Sequence, residues 1–202
     1  MSTSTIDRTV DLMLRCGALM RGHFKLTSGL HSDEYCQCAR VLEHPEIAGE
    51  MGKMLAGFYA DAKVDTVVSP AIGGIVIGHE VAKSLGVRSL FAERVDGAMA
   101  LRRGFKLDPG ERVLIIEDVV TTGGSVKEVA ELVKAAGAEL VGFGFIMDRS
   151  REPLNLPAPA RALLEGREMV TYQPDTCPLC EAGVPIDKPG SRPESRGDDG
   201  RN

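Results

Sequence analysis

Tryptophan is absent from this 202-residue chain, and aromatic residues make up only 4% of it. A platform on which single-stranded bases could stack therefore has little to build from. Positive charge is not in excess either: 24 Lys and Arg stand against 29 Asp and Glu, a formal net charge of −5. That balance argues against a general binder of nucleic acid or of an anionic membrane. Any anionic ligand must be held by a local constellation of groups. No window approaches the roughly 18 uncharged apolar residues of a membrane span, and the N-terminal MSTSTIDRTV has no apolar signal core. The cytosol is the expected compartment. Cysteine is sparse and odd in number, at positions 16, 36, 38, 177 and 180, which argues against a disulfide framework. Neither G-x-x-x-x-G-K-[ST] nor a G-x-G-x-x-G after a strand occurs, so nucleotide hydrolysis and dinucleotide binding lose support.

What is present reads as a soluble globular chain, 43% hydrophobic and 26% charged. A chain of this length buries roughly 70% of its unfolded surface and needs neither disulfide nor metal to fold. The order of elements is α/β. Ile6, Val10, Met13 and Leu14 predict one face of a helix ending near Gly17, whereas residues 22–43 read as short strands and loops. Pro45 opens a helix whose apolar positions are Ile47, Met51, Met54, Leu55 and Phe58. Strands follow at 64–68, 87–92, 113–116 and 140–147, alternating with helices at 75–85 and 125–136. A further strand is expected within 163–172. This repetition predicts a mainly parallel sheet flanked by helices on both faces. Residues 93–111 read as a charged loop with four cations between Arg94 and Lys106, and the Pro/Gly-rich tail from Lys188 as disordered. The expected division is 1–45 for an N-terminal helix and hood segment, 46–187 for the core with its C-terminal strand and CxxC segment, and 188–202 for the tail.

The strongest chemical signal is Val113-Leu-Ile-Ile-Glu-Asp-Val-Val-Thr-Thr-Gly-Gly-Ser125. A buried strand delivers Glu117 and Asp118 at its C-terminal end, where ligands of open α/β sheets bind. Thr121, Thr122, Gly123, Gly124 and Ser125 then run directly into a helix. Glycines admit a ligand close to the backbone, and N–H groups at a helix start attract an anion. Two acids beside a phosphate cradle make sense if the ligand also presents sugar hydroxyls or a divalent metal.

The run from Ile116 to Ser125 resembles the phosphoribosyl-pyrophosphate motif of the type I phosphoribosyltransferases. The resemblance implies that Glu117 and Asp118 hold the ribose 2- and 3-hydroxyls, with Asp118 nearest the reaction centre. Thr121, Thr122, Gly123, Gly124 and Ser125 would hold the 5-phosphate, with Val119 and Val120 among the other phosphoribosyl-pyrophosphate contacts. Ser69-Pro-Ala-Ile-Gly-Gly-Ile75 resembles that family's pyrophosphate loop, with Gly73 and Gly74 facing the anion. Phe24-Lys-Leu-Thr-Ser-Gly29 with Ser32 resembles the N-terminal hood of the orotate-using members, and Met147-Asp-Arg149 the segment that places an arginine on orotate. Ser28, Thr121 and Arg149 are then the expected orotate contacts, since an Arg fork suits a flat acid. Where many members carry a hood lysine this chain has Thr27, with Lys25 two positions earlier. Arg94, Arg102 and Arg103 would belong to the family's catalytic loop, which reaches pyrophosphate in the neighbouring subunit and implies a homodimer with shared sites. Magnesium is the expected cofactor, held mainly by substrate and water. The implied reaction joins orotate to 5-phosphoribosyl 1-pyrophosphate, a step of pyrimidine biosynthesis. Transfer to another base, or a regulatory protein that senses ribose phosphate, are the alternatives.

The Cys177-Pro-Leu-Cys180 pair has the spacing of half a zinc site or of a redox pair, but no second CxxC accompanies it. Cys36 and Cys38 could complete four ligands only if the fold joined them. The pair is read as incidental. His23, His31, His44 and His79 show no ligand spacing, and His79 is read as a packed helix residue.

Overall fold

The computed structural model describes residues 4–26, 28–165 and 170–189. In chain order the elements are α1 (Thr5–Arg15), β1 (Leu19–Lys25), β2 (His31–Cys36), α2 (Ala39–Leu42), α3 (Pro45–Gly57), β3 (Thr66–Pro70), α4 (Gly74–Leu85), β4 (Arg88–Val95), β5 (Ala98–Leu101), β6 (Arg112–Val120), α5 (Gly124–Ala135), β7 (Glu139–Asp148), β8 (Ala160–Leu164), β9 (Thr171–Tyr172) and α6 (Pro178–Glu181). Among the described residues no helix is long and apolar enough to cross a membrane.

The chain forms two compact units. One takes the described residues up to Leu19 and those from Gln37 to 165. The other takes Met20–Cys36 and the described residues from 170 onward. This division differs from the expected boundary at residue 45: α1 lies with the large unit, and the CxxC segment lies with the β1–β2 strands. Most of the expected tail, from residue 190, lies outside the described residues.

The large unit is built on a six-stranded sheet of order β5-β4-β3-β6-β7-β8. Its strands pair in parallel except for β4 with β5. A mainly parallel sheet buried on both faces needs strands apolar on both sides, and β6 supplies one: Val113, Leu114, Ile115 and Ile116 are all 0% exposed. Val113 and Ile115 pack with Phe143, Phe145 and the α5 residues Val126, Val129 and Val133. On the opposite face α4 contacts β3, β4 and β6, and α3 contacts β7 and β8.

Four expectations are corrected. Helix α1 buries Thr9, Leu12 and Met13, whereas Ile6 and Leu14 are exposed. The helix packs against α3 and β8, and this tertiary contact rather than the apolar stripe decides the buried side, with Arg8 paired to Glu50 of α3 at 2.6 Å. Phe58 is likewise exposed, and Tyr59 fills the core position beside it. The stretch 93–111 opens not as a loop but as the β4–β5 hairpin. Asp96 (φ 50°) and Gly97 (φ 90°) form its two-residue turn, the Asp-Gly pairing that tight hairpins favour. Finally, the strand expected within 163–172 is two short strands in different sheets, β8 and β9.

Gly142 on β7 marks the tightest backbone approach in this sheet region. A Cβ there would lie 2.8 Å from the carbonyl oxygen of Pro159 and 2.9 Å from the Tyr59 ring. Because the carbonyl belongs to backbone, Gly142→Ala should destabilise the protein by about 1–3 kcal/mol. Urea denaturation measures this; an unchanged midpoint would show that β7 and the segment before β8 separate freely.

Candidate functional site

Strand β6 runs beside β3 in parallel register, with Val68 opposite Ile115, so the loops leaving both strands emerge at the same sheet edge. Pairing with β7 extends as far as Val120 opposite Asp148, and this keeps Glu117 and Asp118 within β6. The loop after β3 packs directly onto the two acids. A Cβ on Gly73 would stand 2.6 Å from Asp118 Oδ1, and one on Gly74 would stand 3.0 Å from Glu117 Oε1 and 2.9 Å from the Ile116 carbonyl oxygen. The two glycines therefore do more than expose backbone N–H groups: their missing side chains let the second loop reach the acids.

The carboxylates are held from the backbone. Asp118 Oδ1 accepts the Val119 N–H at 2.8 Å, and Glu117 Oε1 accepts the Asp118 N–H at 3.3 Å. Burial, and next the negative charge of Asp118, push Glu117 up to about 9, while hydrogen bonds from the Asp118 and Gly74 backbone oppose the shift. At neutral pH the ligand-free pair therefore holds a proton on Glu117. Both residues are half-buried, and desolvation with the neighbouring charge disfavours ionising Glu117 beside an ionised Asp118.

The cradle follows at once. Gly123 adopts φ +75° as the residue before α5, a left-handed conformation that favours glycine. Arg94, Glu117, Thr121, Thr122, Gly124 and Ser125 line a cavity of about 250 Å³ over the start of this 12-residue helix, where backbone N–H groups and hydroxyls suit a phosphate. A second cavity of about 550 Å³ shares Thr121 and Thr122 and is lined further by Lys127, Arg149, Arg151 and Leu154. The Arg149 N–H donates to the Val120 carbonyl at 2.9 Å, which fixes its backbone beside β6. Lys127 and Arg151 were missed in the sequence, although Lys127 lies two residues past Ser125 and Arg151 two past Arg149. Together the three cations make the second cavity a site for an anion, with Glu152 the one acid on its wall.

Other expected residues are placed differently. Arg94 does line the first cavity, but its guanidinium grips Glu128 of α5 at 2.8 and 3.0 Å and the Gly97 carbonyl at 2.6 Å. Arg102 and Arg103 turn to Glu93, at 3.9 and 3.1 Å, and Arg103 also lies over the Phe91 ring. Neither lines the two cavities. Ser28 is exposed in the small unit, and Thr27 lies outside the described residues. Ser32 is spent on structure, donating to the Val170 carbonyl and accepting the Glu34 N–H. His79 is exposed on α4 rather than packed. The cysteine reading is also corrected: Cys177 and Cys180 meet His23 and His31, not Cys36 and Cys38. These partners lie some 150 positions away in sequence, at 149 to 157 residues, where no spacing pattern reveals them.

Residues 37–169 match the model of the phosphoribosyl transferase domain. With the acid pair, the cradle and the parallel sheet, this makes the chain a member of the phosphoribosyltransferase family. An orotate phosphoribosyltransferase of Desulforamulus reducens is 52% identical over 186 residues, covering 92% of this chain and 97% of that protein. One of Chlorobium phaeobacteroides is 54% identical over 183 residues, covering 91% and 94%. Within the family, the chain belongs with the orotate phosphoribosyltransferases. The fold is shared with the crystal structure of Mycobacterium tuberculosis orotate phosphoribosyltransferase in complex with Fe(III) dicitrate, with a TM-score of 0.65 at 20% identity over 80% of this chain and 97% of that one.

The raised Glu117 has a consequence for stability. Folded, the ligand-free chain keeps the Glu117 proton to about pH 9; unfolded, it releases it near the ordinary value of 4.5. The native state binds the extra proton between those values, so stability falls as pH rises through that window. Glu117→Gln removes this loss and should gain stability relative to wild type as pH climbs. Parallel stability curves for the two proteins would show that Glu117 is ionised in the free enzyme.

Proposed function

We infer that the protein transfers the ribose 5-phosphate group of 5-phosphoribosyl 1-pyrophosphate to orotate, giving orotidine 5-phosphate and pyrophosphate. The observation that carries this reading is the pair of adjoining cavities sharing Thr121 and Thr122. One has Glu117 and the cradle; the other has Lys127, Arg149 and Arg151. Thr121 to Ser125 take the 5-phosphate, Glu117 and Asp118 take the ribose hydroxyls, and Arg149 takes the orotate carboxylate. A neutral base would leave three cations without an anion, which disfavours a purine. The acidic chain likewise disfavours a nucleic-acid-binding sensor.

In the reaction the C1–oxygen bond to pyrophosphate breaks, with its electron pair leaving on the pyrophosphate, while a bond from C1 to the orotate nitrogen forms and that nitrogen's proton passes to the pyrophosphate or to water. Positive charge develops on the ribose ring as in other glycosyl transfers. The protein's contribution is position and charge rather than covalent chemistry. Asp118, packed against Gly73, is the acid we assign to offset that developing charge. The Gly73–Gly74 turn, packed on the two acids, is the loop we assign to the pyrophosphate, although the Gly74 N–H is held by Glu117 in the ligand-free chain. The hard oxygen donors of Glu117 and Asp118 fit magnesium, which would be held mainly by substrate and water. When bound, that ion neutralises charge on the pyrophosphate.

Arg94, Arg102 and Arg103 are the cations available for the departing pyrophosphate. Each now rests on an acid of its own chain, so use in catalysis requires exchange of Glu128 or Glu93 for the substrate. The family resemblance implies a homodimer in which this arm serves the partner's site, while Arg94 also lines the first cavity of its own subunit.

Offered orotate, uracil, adenine and hypoxanthine in turn with phosphoribosyl pyrophosphate and magnesium, the protein should release pyrophosphate far faster with orotate. Equal turnover of a purine would overturn the assignment of the base. Asp118→Asn is nearly isosteric, and it should fold normally yet lose at least about a hundredfold in turnover, roughly 2.7 kcal/mol of barrier.

Arg149→Ala should raise the KM for orotate by about tenfold or more and leave that for phosphoribosyl pyrophosphate within a few-fold. Equal weakening of both substrates, measured by steady-state kinetics, would make Arg149 a structural residue.

A further inference from the structure

Outside the two cavities, the small unit holds a second cluster of chemically capable side chains. His23 of β1, His31 of β2 and the Cys177/Cys180 pair at the start of α6 bring one ligand atom each within 4.8 Å of one another. His23 Nε2 lies 3.0 Å from His31 Nδ1, 3.5 Å from Cys177 Sγ and 3.7 Å from Cys180 Sγ, and Cys180 Sγ lies 3.3 Å from His31 Nδ1. Tetrahedral zinc, with Zn–N about 2.0–2.1 Å and Zn–S about 2.3 Å, requires separations of roughly 3.3 Å between nitrogens and 3.6 Å between nitrogen and sulfur. The observed spacings follow this pattern. From these distances we propose that His23, His31, Cys177 and Cys180 form a structural zinc site.

Two further observations support it. His23 Nδ1 lies 2.8 Å from the Val184 carbonyl oxygen. A carbonyl only accepts, so Nδ1 carries the proton and Nε2 turns its lone pair into the cluster. Backbone carbonyls hold metal-binding histidines in this way. The second observation concerns the core. Among the described residues of the small unit, the buried apolar side chains are only Phe24, Cys36 and Cys177, with His23, His31 and Ser32 as buried polar companions. So few buried apolar side chains supply little folding energy by burial alone. Moreover, β9 contributes just two residue pairs to β2. An ion tying the β1 and β2 histidines to the Cys177 turn supplies the missing cross-link, and its binding energy becomes folding energy. Two thiolates with two imidazoles favour zinc over the harder divalent cations. Cys180 is exposed, which gives the ion its path in. The site is independent of the assignment of the reaction.

The test uses the full-length, untagged chain. Elemental analysis after growth with zinc should find about one zinc per chain in wild type and close to none in the Cys177→Ser/Cys180→Ser variant. Should that variant fail to fold, cobalt added to metal-stripped wild type decides: a tetrahedral, thiolate-ligated ion gives intense thiolate-to-cobalt charge-transfer bands and strong visible bands. Hydrogen exchange should also slow at residues 20–36 and 170–189 when zinc is restored. Wild type without stoichiometric zinc and with only a weak, octahedral cobalt spectrum would overturn the site. Full zinc content in the double variant would overturn it equally.

Discussion

Two half-buried carboxylates and two glycines form the contact on which the rest of the large unit depends. Glu117 and Asp118 sit where β6 passes the loop leaving β3, and that loop reaches them only because Gly73 and Gly74 carry no side chain. The parallel register of β3 and β6 brings the loops to the same edge. The apolar run 113–116, buried from both faces, anchors the strand that presents the acids. A larger residue at either glycine would drive the loop from the acids, while loss of the β6 core would release the acids themselves. One geometric constraint therefore joins the sheet to the chemistry.

The same contact sets the electrostatics. Burial and Asp118 keep Glu117 protonated in the free protein, so the site waits with less negative charge than its sequence suggests. A phosphorylated sugar arriving beside two ionised acids would meet repulsion; beside one protonated acid it meets less. Positive charge is distributed around this centre in two ways. Lys127, Arg149 and Arg151 line a cavity, whereas Arg94, Arg102 and Arg103 are paired with Glu128 and Glu93. The first set is ready for an anion, and the second must exchange partners to meet one.

Much of the fold was legible because its signals are local. A continuous apolar strand, an acid pair and a run of hydroxyls and glycines before a helix each depend on neighbours in sequence. The helices at 75–85 and 125–136 and the parallel sheet followed from the same periodicity. What stayed hidden depends on long-range pairing. The buried face of α1 is the one packed against α3 and β8. The β4–β5 hairpin lay under the charge of residues 93–111, although Asp96-Gly97 was its signal. The role of Gly73 and Gly74 required knowing what stands opposite them. His23 and His31 were unremarkable in sequence until the fold set them against Cys177 and Cys180.

The claim that Glu117 is a switching member of the ribose site can be measured directly by counting protons on binding. Phosphoribosyl pyrophosphate with magnesium is titrated calorimetrically into the wild type and into Glu117→Gln near pH 7, in buffers of different ionisation enthalpy. If the ligand's hydroxyls and its accompanying cation draw out the charged form of Glu117, wild type releases close to one more proton than the variant. Equal proton counts, with both proteins binding, would mean that Glu117 keeps its proton throughout and that the acid pair does not hold the ribose in the way described.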